Sequence, residues 1–523
     1  MDGRTMEASI ETPLRKVVKG TVVALLGSVL GLFLVFLSRM LMARYLSVAE
    51  YGVFSLAFVI LNVIAIISML GLERGVPRQV AFLSERGEME KVSAVIRSSA
   101  TITVIASSVS CILLFALSDS IAQSIFQTPE LAPALRIFSI SIPFFTLLLL
   151  LVSVYRGFDR ADVKVYFSDV MRNVLFFMIL GLAFLLGLSF EIVLVGFVIS
   201  IVVPCVGIGI LIIRRSPVPS GLNRVERKKG VARELLFFSA PLMISAIFAL
   251  IMSWTDTITL GYFRTVEDVG VYNAALPIAQ FVPIFLNGMA YIYLPVVSKL
   301  HSMNRLNEIR RMYGITTKWI FSLTYPLFLV VVLFPRPVIG ILFGADYTGG
   351  SLALQILIIG FFVHTFLGLN ASTLLALGET KYLMWASAVS AVANVILNVM
   401  CVSWFGIPGA ALATALSLVL LNILVSWKCH SDYKIHPFSR KYIIPIAVSI
   451  PAILAVYLAV NLLVGLVSIL LLPMFFIIFL IIYFLSILLT KGFDQEDLDM
   501  IASVERRLGL NFRNLKKILK RFL

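Results

Sequence analysis

The chain has 523 residues, of which 60% are apolar and 14% charged, and it carries a formal net charge of +15. Soluble domains are roughly 45–50% apolar and ~25% charged, so a soluble globular fold, a disordered chain and a disulfide-rich secreted domain are excluded. The composition predicts an all-α integral membrane protein with little mass outside the bilayer.

A membrane span takes about 20 consecutive apolar residues. Segments long enough to span run over residues 17–41, 50–71, 92–117, 134–155, 166–188, 190–213, 235–260, 269–294, 315–342, 351–376, 382–404, 408–427, 442–465 and 466–490. That makes about 14 transmembrane helices. The run from Val17 is too long for a signal-peptide core and has no small-residue cleavage pattern before it, which predicts a retained first helix. The last two segments merge, and the stretch around Gly465 is expected to turn the chain.

Charge fixes the expected orientation. With a cytoplasmic N-terminus, 38 of the 43 lysines and arginines fall in the N-terminal segment, the even-numbered connections with their flanks, and the tail. The other five are Arg39, Arg44, Arg136, Arg264 and Arg336. Lys and Arg accumulate on the cytoplasmic side of membrane proteins, so both termini are expected inside a plasma (cell) membrane. The same rule explains the basic balance with no nucleic-acid partner.

The chain repeats itself. ARYLSVAEYGVFSLA at 43–57 aligns with GYFRTVEDVGVYNAA at 261–275 at an offset of 218, pairing Gly52 with Gly270. The same offset pairs Pro77 with Pro295, and an offset of 221 pairs Gly157 with Gly378 and Asn173 with Asn394. A six-helix unit starts each copy on the same side, a parallel repeat. The expected domains are an N-lobe of helices 1–6 (1–213), a basic cytoplasmic connection (214–233), a C-lobe of helices 7–12 (234–427), helices 13–14 (428–490) and a basic tail (491–523). In the tail, Leu498, Ile501, Val504 and Leu508 stand at helical spacing before FRNLKKILKRFL, the pattern of an amphipathic helix pair on the inner membrane surface.

No connection is long enough to hold a soluble catalytic domain. Gly-Lys never occurs, which removes a Walker A loop, and there is no HExxH. Cys111, Cys205, Cys401 and Cys429 stand far apart and define no disulfide framework. Cys429, His430, Asp432 and His436 match no standard zinc spacing. No catalytic residue, metal site or cofactor is therefore expected.

Function is expected among intramembrane polar residues, because burying charge in a bilayer is costly. Asp256 lies in helix 7, Asp169 and Glu191 near the ends of helices 5 and 6, and Arg39 in the outer part of helix 1. Gln280, Asn287, Gln355, Asn370, Asn394 and Asn398 lie in helices 8, 10 and 11, as interhelical hydrogen-bonding groups or as cavity lining. His364 reads as a packed histidine or a cavity donor. Pro277, Pro283, Asn287, Gly288 and Pro295 interrupt helix 8, which is expected against a central cleft.

The stretch SRMLMARYLSVAEYGVFSLA with GLERGVPRQVA resembles oligosaccharide flippases of the polysaccharide-transporter, O-antigen type, in the multidrug/oligosaccharidyl-lipid/polysaccharide (MOP) exporter superfamily. VGVYNAALPIAQ and LPVVSKL resemble the same family's second lobe. The resemblance implies two pseudo-symmetric six-helix lobes around a cleft. It also implies translocation of a lipid-linked oligosaccharide, a polyprenyl phosphate or pyrophosphate sugar, to the outer leaflet by alternating access, for polysaccharide or glycoconjugate biosynthesis. Implied partners are that substrate, membrane lipids, and glycosyltransferases or a polymerase of the same pathway. Cleft arginines would meet the phosphate charge. The substrate-binding candidates are Arg39, Arg44, Asp256, Arg264, Gln280 and Asn287, with Arg136, Arg172 and Lys318 behind them. Alternatives in the same fold are a cation-coupled multidrug exporter and a lipid II flippase. A membrane-embedded polymerase or ligase is the alternative from another class.

Arg39 shifted by 218 falls one residue from Asp256. Each lies about 20 residues into its helix, near the outer edge of a ~30 Å core. Opposite charges at equivalent positions are expected to form an outer gate.

Overall fold

The structure is a computed structural model that describes residues 27–214, 231–437, 440–463 and 471–490. Expectations for the start of the first segment, residues 215–230, the turn near Gly465 and the tail fall outside the described residues. Every regular element described is helical.

The helices are α1 (Gly27–Tyr45), α2 (Val48–Ser68), α3 (Leu72–Glu85), α4 (Met89–Ser120, extended by a π-helical turn Ile121–Ile125), α5 (Leu131–Gly157), α6 (Ala161–Leu186), α7 (Phe190–Arg214), α8 (Val231–Phe263) and α9 (Val266–Ala279). After these come α10 (Ile284–Ser302), α11 (Leu306–Leu333), α12 (Pro335–Leu342), α13 (Ser351–Phe366), α14 (Asn370–Ala376), α15 (Thr380–Phe405), α16 (Ile407–Tyr433), α17 (Arg440–Leu463) and α18 (Leu471–Leu489). Among the described residues, eleven helical stretches are long and apolar enough to span, or twelve with the α9–α10 pair taken as one. Shorter apolar stretches, Ile444–Ala459 and Pro473–Leu489, coincide with the thirteenth and fourteenth expected segments. This is a multi-pass helical membrane protein.

Several expected spans are divided. The 351–376 segment becomes α13 and α14, with the left-handed Gly368 (φ 71°) between them, whereas α2 fills the 50–71 segment and ends before the left-handed Leu70 (φ 49°) and Gly71 (φ 77°). α2 itself begins with a capping box. Glu50 N donates to Ser47 Oγ (3.2 Å) and Ser47 N donates to Glu50 Oε2 (2.8 Å), satisfying two otherwise unpaired amides. Helix 8 is interrupted between Ala279 and Ile284, with a bend of 49°. Pro283 has no amide hydrogen to continue the ladder there.

The chain forms two compact units, Met1–Asn273 and Ala274–Leu523. In the first, α2 and α5 are the most enclosed spans, each 67% buried. Two apolar clusters sit around α5. One joins Leu72, Val76, Val80 and Leu83 of α3 to Val92 and Val95 of α4 and Leu150 and Val154 of α5. The other joins Leu148, Leu151 and Tyr155 of α5 to Cys205 and Ile208 of α7. Between spans, lipid is as apolar as leucine, so close packing and polar contacts hold helices together. α1 accordingly meets α6 through small residues: Ser28 Oγ donates to Asp169 Oδ2 (2.9 Å) and Asn173 Nδ2 to Gly31 O (3.4 Å). Lys164 Nζ also lies 3.2 Å from Asp169.

In the second unit, Tyr293, Tyr313, Ile320, Leu374, Ala386 and Val425 form the core of α10, α11, α14, α15 and α16. α18 packs on α11 and the Phe334 that follows it through rings, Tyr483 on Tyr325 (5.0 Å between centroids) and Phe475 on Phe334 (5.1 Å).

Candidate functional site

Of the candidate residues, Asp256 has the most developed surroundings. It is 3% exposed. Tyr272 Oη donates to its Oδ2, and the Thr257 amide donates to its Oδ1 (2.7 Å). Asn273 Nδ2 donates to Thr257 Oγ1 (3.2 Å), and Tyr51 Oη donates to Asn273 O (3.1 Å). The cluster thus ties α2, α8 and α9 together, and all five residues are buried. A carboxylate with oriented donors can stay in such a place, whereas an isolated one could not.

Two glycines bring α2 and α9 this close. A Cβ on Gly52 would fall 1.9 Å from Val266 O, and one on Gly270 2.4 Å from Val48 O. These are the paired glycines of the repeat.

Arg39 lies beside this cluster. Its Cζ is 6.0 Å from the centroid of Phe58, whose edge meets Phe197 and Trp254 at 5.8 and 5.7 Å. Arg44 and Arg264 are exposed in the isolated chain. In the second unit, Gln280 and Asn287 are also exposed. Arg136 is occupied by Asp119, and Arg172 lies 5.6 Å from the Phe145 ring. Lys318 is buried.

A second polar cluster lies in the second unit. His364 Nδ1 is 3.0 Å from Asn422 Oδ1, and Asn370 Nδ2 donates to Asn422 Oδ1 (3.2 Å) and Ser426 Oγ (2.9 Å). Gln355 Nε2 donates to Val332 O (2.9 Å). Asn394 Oδ1 and Asn398 Oδ1, one turn apart on α15, are buried with no donor among the described residues. Oxygens in that state accept from water or bind a hard cation. Cys429 instead donates to Asn370 O, and Lys428 holds Asp432 at 2.6 Å. No group of three or more His, Cys, Asp or Glu arranged for a metal occurs among the described residues.

Sequence reasoning found Asp256 and Arg39 but not Tyr51, Phe58, Thr257, Tyr272 or Asn273. The available signal was position, since Tyr51, Tyr272 and Asn273 all fall inside the two repeated stretches.

The fold and these clusters define a polytopic helical membrane protein without strands among its described residues, built around intramembrane polar groups. The chain belongs to the polysaccharide biosynthesis protein family, whose profile matches residues 17–301, more than half of it. A second profile, MatE, matches residues 241–400. The chain is 28% identical over 414 residues to a probable low-salt glycan biosynthesis flippase of Haloferax volcanii, covering 76% of this chain and 80% of that one. It is 22% identical to a putative O-antigen transporter of Shigella flexneri, covering 79% and 97%. Among solved structures, the lipid II flippase MurJ in an inward closed conformation has the same fold (TM-score 0.68, 18% identity, covering 92% and 99%). So has an inward-facing multidrug resistance MATE family transporter of the MOP superfamily (TM-score 0.64, 14% identity, covering 79% and 98%).

Proposed function

We propose that the protein is a flippase that moves a lipid-linked oligosaccharide from the cytoplasmic to the outer leaflet by alternating access, with no covalent chemistry. The observation that carries this reading is the family match over residues 17–301, in a chain whose described helices are mostly of spanning length. Relatives named as a glycan biosynthesis flippase and an O-antigen transporter support it. The physics agrees with such a cargo. A phosphate-linked glycan is too polar to enter hydrocarbon unaided, while its lipid tail can stay in the bilayer.

The six-helix lobes, the inward-facing termini and the plasma membrane location belong to the same proposal, supported by the repeat and the charge asymmetry. So does a cleft served by Arg39, Arg44, Asp256, Arg264, Gln280 and Asn287, and an outer gate of Arg39 and Asp256. Glycosyltransferases or a polymerase of the same pathway belong to the proposal as partners.

The MatE match over 241–400 favours a second reading, a cation-coupled exporter of amphiphilic drugs. A transport panel on the purified protein separates them: a lipid-linked oligosaccharide, lipid II and cationic dyes offered to the same vesicles. Selective movement of the oligosaccharide lipid supports the proposal, and dye transport alone supports the exporter.

A further inference from the structure

α3 has two faces. Leu72, Val76, Val80 and Leu83 are buried in the core of the first unit. Arg74, Arg78 and Phe82 follow one another at four-residue spacing on the exposed side, and Arg86 continues the stripe at the end of the helix. Residues four apart share a helix face. Beside this stripe, between α3 and the starts of α4 and α8, lies a cavity of about 530 Å³. Arg78, Gln79, Arg86, Lys91, Glu234 and Phe238 contribute its polar and aromatic wall.

The two arginines are held by rings. Arg78 lies 5.3 Å from the centroid of Phe238, and Arg86 lies 4.1 Å from that of Phe82. Lys91, by contrast, is paired with Glu88. A ring beneath a guanidinium fixes its plane and leaves its N–H edges to bind something else. Those edges match pairs of phosphate oxygens. Eight residues separate Arg78 from Arg86, about 12 Å along the helix axis. Both line the same cavity, as does Gln79, and two forked donors facing one cavity match two linked phosphates better than one. Phe82, on the cavity wall, is 51% exposed, so apolar surface lies at the cavity's edge. A lipid chain leaving the site would meet it.

We propose that this cavity is a diphosphate-binding site on the inner side of the protein, where the diphosphate of a polyprenyl carrier docks. The proposal rests on the flippase reading for its lipid, and on the cavity's own chemistry for the diphosphate. It lies apart from the Arg39 and Asp256 cluster and gives the cationic stripe of α3 a role beyond orientation in the membrane.

The test is equilibrium binding of a labelled polyprenyl diphosphate to the full chain in nanodiscs of neutral lipid. Wild type should bind, and inorganic pyrophosphate should compete. Arg78→Gln with Arg86→Gln should weaken binding about tenfold or more. Glu234→Gln removes an opposing charge and should tighten it. Arg74→Gln, on the same stripe but outside the cavity, should leave it unchanged. Wild-type affinity in a folded double variant overturns the proposal. Unchanged affinity in Glu234→Gln overturns it too, whether or not the double variant folds. Competition by phosphatidylglycerol as effective as by pyrophosphate assigns the cavity to bilayer phospholipid and overturns the carrier. Transport measured on the same preparations separates the two claims. A wild type that moves the oligosaccharide lipid while the double variant binds normally sinks the site alone. A wild type that binds the diphosphate here yet moves no oligosaccharide sinks the flippase reading alone.

Discussion

Gly52 and Gly270, 218 residues apart and equivalent in the repeat, pack against each other's helices. The built Cβ of Gly52 falls 3.1 Å from the Gly270 amide nitrogen and 1.9 Å from Val266 O. No side chain fits where backbone meets backbone, and small residues are what allow membrane helices to approach this closely.

Gly52→Ala should therefore force α2 and α9 apart. A drop in stability of about 1–3 kcal/mol is expected from such overpacking, read as a lowered melting temperature in detergent. Gly181→Ala is the control, because nothing lies within 4 Å of a Cβ there. Equal stability in both variants would show that the crossing is looser than described.

The Asp256 cluster makes a coupled unit. Tyr272→Phe removes one donor to the carboxylate, and Asp256→Asn alters the acceptor. Hydrogen bonds to charged groups contribute about 1.5–3 kcal/mol, so the two changes should be non-additive in a double-mutant cycle of thermal stability. Losses that simply add would mean that the Tyr272 hydroxyl contributes nothing specific to Asp256.

The gate proposal concerns a different conformation from the one described, in which Arg39 rests on Phe58. Arg39→Gln and Asp256→Asn should each impair transport, and Arg39→Asp with Asp256→Arg should recover part of it. Independent losses without rescue would remove the pairing.

Orientation is checked with one cysteine. In a variant lacking Cys111, Cys205, Cys401 and Cys429, Arg224→Cys should react with an impermeant maleimide only after the membrane is breached. Labelling of intact cells would reverse the assignment of sides.

Most of the fold was legible because bilayer physics writes itself along the chain. Apolar length located the spans, and Pro277 with Pro283 located the break in helix 8. What stayed hidden is pairwise and distant. The equivalence of Gly52 and Gly270 was readable, but not that they touch. Tyr51 reaches Asn273 across 222 residues, and Tyr272 reaches Asp256 across 16. No local period encodes either contact. The division of the 351–376 span was missed because Gly368, the left-handed residue between α13 and α14, is a single residue within an otherwise apolar run. Arg78 and Arg86 were visible only as inner-side charge, since Phe238, which holds Arg78, arrives from a helix about 160 residues further on.

The central claim is tested most directly by leaflet accessibility. The protein is reconstituted into liposomes that carry a fluorescent lipid-linked oligosaccharide in both leaflets, and an impermeant quencher is added outside. A flippase should let the quencher reach essentially all of the label over time, whereas protein-free vesicles lose only the outer-leaflet fraction. Vesicles with folded protein that behave like the protein-free ones, while the same protein moves cationic dyes, would contradict it.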